Sequence, residues 1–167
     1  MALLGLALLL PAIGCATVDD EPATAAATSD LTLTNPHYDP PRNSRLPDTL
    51  CTVDGTTMHC CPPGQAMIGV HVNDDRFKCA TANLTGLVAA DHGTTRSGIH
   101  TCPMGSVMVG LHVGQNVLAC QQTNPPTTPA GEFVDFRSFD GYMHVCGASN
   151  AAMAGIQVNQ NWLTCDE

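Results

Sequence analysis

Three histidines recur in one setting. His59, His100 and His144 each stand two positions before a cysteine, giving His-x-Cys at Cys61, Cys102 and Cys146. Downstream of each lies Met-x-Gly, at Met67, Met108 and Met153, and each copy closes on a further cysteine: Cys79, Cys120 and Cys165. Imidazole and sulfur donors at a repeated spacing are ligand types that zinc and copper accept. A threefold fold that brought His59, His100 and His144 to its axis would offer one ion three imidazoles. The competing reading is structural: a residue also recurs because its hydrogen bond or its packing recurs. Repeated methionine is commonly an adaptable filler of strand-built cores. At a second position His71 and His112 give way to Gln157 in the third copy. Glutamine is a poor transition-metal ligand, so that position reads as hydrogen bonding or packing.

The state of the cysteines bears on this choice. Of nine, setting Cys15 apart leaves eight, an even number that in an exported chain reads as a disulfide framework. Residues 1–15, MALLGLALLLPAIGC, are an apolar run too short to span a bilayer and have the form of a signal peptide. Ala12-Ile13-Gly14-Cys15 resembles the lipobox of bacterial lipoproteins. That resemblance covers the leader alone. It implies a signal peptide over 1–14, lipidation of Cys15, and a membrane partner reached through the lipid anchor. Ala16, where that family uses Asp for inner-membrane retention, implies the outer membrane or cell surface. An ordinary secretory leader, and a secreted or periplasmic protein, is the alternative.

Residues 15–46 are rich in Ala, Thr, Pro and Asp with no sustained apolar period. Such a segment buries too little to offset its ordering entropy, and a flexible acidic tether is expected ahead of a domain at 47–167. Six basic against fifteen acidic residues give a net charge of −9. That balance excludes nucleic acid and polybasic lipid recognition.

From Leu50 onward the hydrophobic period is two, which is the strand signature. In copy one Ile68, Val70 and Val72 share one face and Met67, Gly69 and His71 the other; copies two and three repeat the pattern. The loops at 73–75, 114–116 and 159–161 end in Asp or Asn, the non-glycine types most tolerant of a left-handed backbone. Pairing Val72 with Arg76 sets Cys79 opposite Gly69, and the same count sets Cys120 opposite Gly110 and Cys165 opposite Gly155. A glycine there would leave room for a bridge to the His-x-Cys cysteine. The pairings expected are Cys61–Cys79, Cys102–Cys120 and Cys146–Cys165. Cys51 and Cys60 remain, and a type II′ turn at Gly55-Thr56 sets them opposite each other.

Three copies at a period of about forty residues give an all-β fold of three disulfide-stapled, four-stranded repeats, at about 48–80, 86–121 and 131–166. A β-trefoil-like barrel suits this count, because closure removes exposed edges. A β-sandwich or β-prism is the alternative. The string Cys-Pro-x-Gly-x-x-Met-x-Gly, ending in copy one as Asp75-Arg76-Phe77-Lys78-Cys79, is similar to dermatopontin-type repeats. Those are extracellular disulfide loops that bind matrix or carbohydrate. Copies two and three lack the Asp-Arg pair.

Enzyme and cofactor signatures are missing from the sequence: no Gly-x-Ser-x-Gly, no His-Glu-x-x-His, no phosphate-binding loop and no dinucleotide fingerprint. Asp74-Asp75 at a hairpin tip is explained by turn chemistry. The expectation is a non-enzymatic, surface-anchored module for binding, adhesion or envelope structure, without a cofactor and with glycan or protein as ligand. Its candidate ligand loops carry Asp74, Asp75, Gln115, Asn116, Gln160 and Asn161, with Trp162 as a stacking platform. Zinc or copper binding by His59, His100 and His144 is the alternative.

Overall fold

A computed structural model describes residues 31–38, 50–71, 76–134, 139–140, 143–160 and 162–167. The signal peptide, Cys15, most of the tether, Asp74, Asp75 and Asn161 lie outside them, and Gln160 is described by its backbone alone. The described residues form strands and short 3-10 turns, with no α-helix. In chain order the strands are β1 (Leu33–Tyr38), β2 (Leu50–Val53), β3 (Thr56–Cys60), β4 (Gln65–His71), β5 (Arg76–Ala82), β6 (Leu84–Asp91), β7 (Thr95–Arg96), β8 (Ile99–Thr101), β9 (Ser106–His112), β10 (Val117–Thr123), β11 (Pro129–Val134), β12 (Phe139–Asp140), β13 (Met143–Val145), β14 (Ala152–Gln157) and β15 (Trp162–Asp166).

They make three antiparallel sheets of five strands: β12-β13-β4-β5-β1, β2-β3-β9-β10-β6 and β7-β8-β14-β15-β11. Each has the same plan. A hairpin bearing His-x-Cys comes first, followed by the Met-x-Gly strand and the closing-cysteine strand of the next copy, then an outer strand. Every copy therefore hands its histidine hairpin to its neighbour, and the third copy hands its own back to the first. The ladder pairs are His59 with Leu111, His100 with Ile156 and His144 with Val70.

The turn after each histidine strand explains the exchange. In copy one the amide of Gln65 bonds the carbonyl of Pro62 at 3.1 Å, and Gly64 has φ +79°. In copy two Ser106 bonds Pro103 at 3.1 Å, with Gly105 at φ +78°. Proline lacks the amide that would extend the ladder, and a glycine at positive φ turns the chain sharply. The chain leaves one sheet and enters the next. The sheets remain three separate units and are not closed into one barrel, as a trefoil-like closure would require.

One core serves all three sheets. It takes Met67, Met108 and Met153, then Val70, Leu111 and Ile156, then Phe77, Leu118 and Leu163, together with the cystines. β4, β9 and β14 touch one another around its centre. Strict alternation would put Met67 and Val70 on opposite faces, since they are three apart. A bulge resolves this: Met67 pairs with Cys79 but Gly69 with Lys78, leaving Ile68 as the extra residue. Val109 and Ala154 are the extra residues in the other copies.

The register differs from expectation on two counts: the hairpins close on His71–Arg76, His112–Val117 and Gln157–Trp162, one residue short of the expected Val72–Arg76 type of pair, and the bulge then shifts the ladder again. The half-cystines face Met67, Met108 and Met153, not the glycines. What crowds each glycine is the histidine strand of another copy. A Cβ on Gly69 would lie 2.6 Å from Cγ1 of Val145, and one on Gly110 would lie 2.5 Å from Sγ of Cys60 and 2.9 Å from the His59 carbonyl. On Gly155 it would meet the His100 carbonyl and come within 2.6 Å of Cγ2 of Thr101. The glycines are there so that the exchanged strand can approach.

The four disulfides are Cys51–Cys60, Cys61–Cys79, Cys102–Cys120 and Cys146–Cys165. The last three each lie within one copy, yet because of the exchange each joins two sheets. Cys61 continues β3, its amide bonding Val109 at 2.8 Å, while Cys79 is in β5 of the neighbouring sheet. Cys102 and Cys146 likewise continue β8 and β13, bonding Ala154 at 2.7 Å and Ile68 at 3.0 Å. Four disulfides fit an oxidising, extracytoplasmic compartment.

The first hairpin also differs from expectation. Val53 pairs with Thr56, and Asp54 and Gly55 both have positive φ, at 49° and 82°. This is an Asp-Gly type I′ loop in place of the expected type II′ turn at Gly55-Thr56, and Asp-Gly is a residue pair that takes the two positive-φ positions it requires. Cys51 therefore faces Met58, and its bridge to Cys60 spans a Cα separation of 5.8 Å. That bridge sits away from the central core, beside Val53, Met58, Val109, Val117 and Ala119.

Residues that composition assigns to the tether take part in the fold. Leu33–Tyr38, assigned to the tether by composition, pairs as β1 with β5, and Leu31 is buried against Ala66, Val107 and Ala152. Two leucines in an otherwise polar segment, Leu31 and Leu33, supply the apolar contact that composition averages away.

Candidate functional site

Ala66, Val107 and Ala152 stand near the starts of β4, β9 and β14 and share one cluster, so the three strands begin at one end of the molecule. Their far ends, His71, His112 and Gln157, gather at the other. The polar loops follow there. In copies two and three they open as 3-10 turns, Val113–Gln115 and Val158–Gln160. Asn116 closes the second-copy loop in the left-handed region, at φ 52° and ψ 46°. Gln115 and Asn116 are exposed, and Trp162 is half-buried beside Gln157, its partner in the ladder.

His112 caps its loop: Nδ1 accepts the Gln115 amide at 3.1 Å. An accepting Nδ1 leaves the neutral ring's proton on Nε2, so His112 carries a donor at that edge. Gln157 precedes the equivalent 3-10 turn in copy three. Both residues therefore stand directly before a 3-10 turn, and at His112 the side chain bonds into it.

The recurring histidines lie at the seams between sheets, because their ladder partners Val70, Leu111 and Ile156 all belong to the core. The fillings differ. The ring of His59 stands 5.6 Å from that of Phe77, across the seam on β5. His100 is 5% exposed and its Nε2 donates to Oδ1 of Asp91 at 2.8 Å, across the seam on β6. Asp91 also accepts the amides of Gly93 and Thr94, at 3.1 and 2.9 Å, and the Thr94 hydroxyl at 2.7 Å. Burial raises the pKa of Asp91, but the hydrogen bonds from Thr94, His100 and Gly93 outweigh it and hold the carboxyl at about 2.

Asp91 and His100 have the look of two members of a catalytic triad. The other ring nitrogen, Nδ1 of His100, is buried and has no hydrogen-bond partner among the described residues, so none of them stands on it as the third member of a triad. The pair is a strut between sheets. Arg96 makes a second strut, within one sheet: from β7 its guanidinium forks onto the buried Asp166 carboxylate of β15 at 2.7 and 3.3 Å. The Asp-x-Gly-Thr string at 91–94 is an Asx-turn signal that reveals the first strut in the sequence. Nothing local announces the second.

The three-histidine metal site is not assembled. His59, His100 and His144 sit on three different sheets, and among the described residues no three His, Cys, Asp or Glu side chains are grouped to hold an ion. Closed disulfides occupy the neighbouring sulfurs.

At the seam of copies one and two the loop end opens into a cavity of about 170 Å³. His59 and His112 line it with Thr57, Leu50, Met58 and Val113. It combines imidazole and hydroxyl groups with an apolar floor, a composition that suits recognition of a small polar surface. No helix among the described residues is long and apolar enough to cross a membrane. No family model, curated protein or solved structure matches the chain.

Proposed function

We propose that the protein is a non-enzymatic binding or adhesion module, held at the outer membrane or cell surface by a lipid on Cys15, and that its loop end meets a glycan or protein ligand. The observation that carries this reading is the polarity of the domain. The chain enters at the end where Leu31 packs on Ala66, Val107 and Ala152, and the loops following His71, His112 and Gln157 lie at the opposite end. A tether attached at one end directs the other away from the membrane. Recognition loops on a rigid scaffold are a common arrangement, and here four disulfides supply the rigidity. The cyclic three-sheet plan supports a prism-like reading of the fold over a trefoil-like one. The dermatopontin-like string in copy one favours matrix or carbohydrate among the ligand classes.

The test compares deletion of the protein with a double variant, His59→Ala with Gln115→Ala, in cell-surface adhesion and on a glycan array. Loss of adhesion on deletion, reproduced by the double variant while its thermal unfolding stays close to the parent's, is the expected result. Array silence together with unchanged adhesion after deletion would overturn the reading. Incorporation of labelled fatty acid, abolished by Cys15→Ser, is the expected result for the anchor.

A further inference from the structure

The cavity of about 170 Å³ at the loop end has no Asp, Glu, Lys or Arg among its lining residues. On the β2–β3 hairpin its wall alternates in character. Leu50 faces His59 in the ladder and Thr52 faces Thr57, so these four side chains share one side of the hairpin. Leu50 is 50% exposed, an apolar side chain left open beside an imidazole. The end of β9 and the loop after it add His112, Val113 and Gly114.

Nδ1 of His112 is spent on the Gln115 amide, so in the neutral ring Nε2 carries the proton. A Cβ on Gly114 would stand 3.5 Å from Cε1 of that ring, the carbon between the two nitrogens. The ring therefore brings a hydrogen-bond donor and no spare lone pair for a metal ion. His59 lies 5.6 Å from Phe77, ring to ring, and its side chain takes no hydrogen bond among the described residues. The Thr57 hydroxyl shares one bond with Thr52 at 3.2 Å and keeps capacity for another.

These groups select among ligands. A carboxylate or ammonium would give up its water for a cavity without a counter-charge, and the chain's net charge of −9 opposes an anion further. A purely apolar side chain would strip water from the imidazole and hydroxyl groups and return no hydrogen bond. A sugar ring meets both demands, with C–H groups on its faces and hydroxyls round its rim. Pockets for drug-sized ligands begin at roughly 300 Å³, so this smaller one suits a single ring.

We propose that this cavity binds one uncharged pyranose, the terminal residue of a glycan. Leu50 and Val113 lie against a C–H face of the ring, and His112, His59 and Thr57 bond its hydroxyls. The proposal rests on the reading of the loop end as a recognition surface and narrows its ligand to a neutral sugar.

The experiment is a titration of the intact chain, in a sugar-free polyoxyethylene detergent, followed by amide and imidazole chemical shifts. The probes are the methyl pyranosides of glucose, galactose and mannose, the uronic acid of whichever binds best, and N-acetyl-leucine amide to represent a peptide ligand. The expected result is saturable shifts at residues 57–59 and 112–114 with at least one neutral sugar, and binding of its uronic acid weaker by about tenfold or more. Thr57→Val, which keeps the shape and removes the hydroxyl, should weaken sugar binding about fivefold. Gly114→Leu, at an exposed loop position, should weaken it by about tenfold or more by filling the cavity. Absence of saturable shifts with all three neutral sugars, tighter binding of the uronic acid or the peptide amide, or unchanged binding in both variants would overturn the proposal. A silent cavity in a chain whose deletion still abolishes adhesion would overturn this proposal and leave the adhesion reading standing. Sugar binding by a chain whose deletion leaves adhesion unchanged would uphold the proposal against that reading.

Discussion

The seam that holds His59 and the seam that holds His100 are built from the same parts and filled differently. Both present a histidine from the exchanged hairpin, opposite Leu111 in one and Ile156 in the other. Both are stapled by a disulfide closing 18 residues. At the first, the neighbouring sheet offers Phe77, and imidazole and phenyl rings meet. At the second the equivalent core residue is the smaller Leu118, and the histidine reaches past it to Asp91, the residue paired with Leu118 in the ladder. The recurrence of histidine thus marks a place in the architecture that needs a flat, polar-tipped filler, and it does not mark one shared reaction. His59 also lines the cavity at the loop end, while His100 is buried.

The largest expected effect treats the two seams alike. Replacing both cysteines of either staple with alanine, Cys61 with Cys79 or Cys102 with Cys120, should cost about 3 kcal/mol in denaturant unfolding, since the closed loops are equal in length. A difference well beyond 1 kcal/mol between the two pairs would show that the fillings, and not the staples, decide seam strength.

Next comes the approach of the exchanged strand. Gly110→Ala puts a methyl group against Cys60 Sγ and the His59 carbonyl, and both would have to shift. A loss of about 2–3 kcal/mol is expected. Gly114→Ala, where the nearest atom is Cε1 of His112 at 3.5 Å, should cost less than about 1 kcal/mol by the same measurement.

Acid separates the seams. The carboxyl of Asp91 is held at about 2 in the fold against 3.8 in its absence. A depressed carboxylate contributes stability that is present above the unfolded value and lost as pH falls from about 4 towards 2. The contribution is about 1–2 kcal/mol, after allowance for partial exposure of the side chain. Asp91→Asn should flatten that part of the stability curve, measured by urea unfolding at each pH. A variant that keeps the parent's slope there would remove Asp91 from the account. The smallest effect belongs to His59→Gln, which gives up one ring–ring contact and should cost about 1 kcal/mol or less with no change in the acid limb.

Much of this architecture is legible in the sequence, because it rests on spacing. The period-two pattern, the 18-, 18- and 19-residue cysteine intervals and the Asn116 loop end all report strands, staples and turns directly. Two features are hidden for a physical reason. The hairpin closes on His71–Arg76 where a three-residue loop would pair Val72 with Arg76, and a bulge then adds a residue without altering composition; together they set Cys79 opposite Met67, two residues from Gly69. The exchange of hairpins between copies is invisible because a disulfide within one repeat looks the same in sequence whether it joins strands of one sheet or of two. Leu31 escaped for another reason: one buried leucine does not change the composition of a polar tether. The histidines are visible as a pattern, but their partners Phe77 and Asp91, although in the same copies, stand on the neighbouring sheets, and only the fold brings them together.

The central claim is the cyclic exchange, and its most direct test is a backbone NOE measurement on isotopically labelled protein. The contact that closes the ring is the pairing of His144 and Val145 with Val70 and Gly69. Cross-strand NOEs between those residues, together with His59 to Leu111 and His100 to Ile156, are the predicted result. NOEs that pair each histidine strand with the Met-x-Gly strand of its own copy would contradict it.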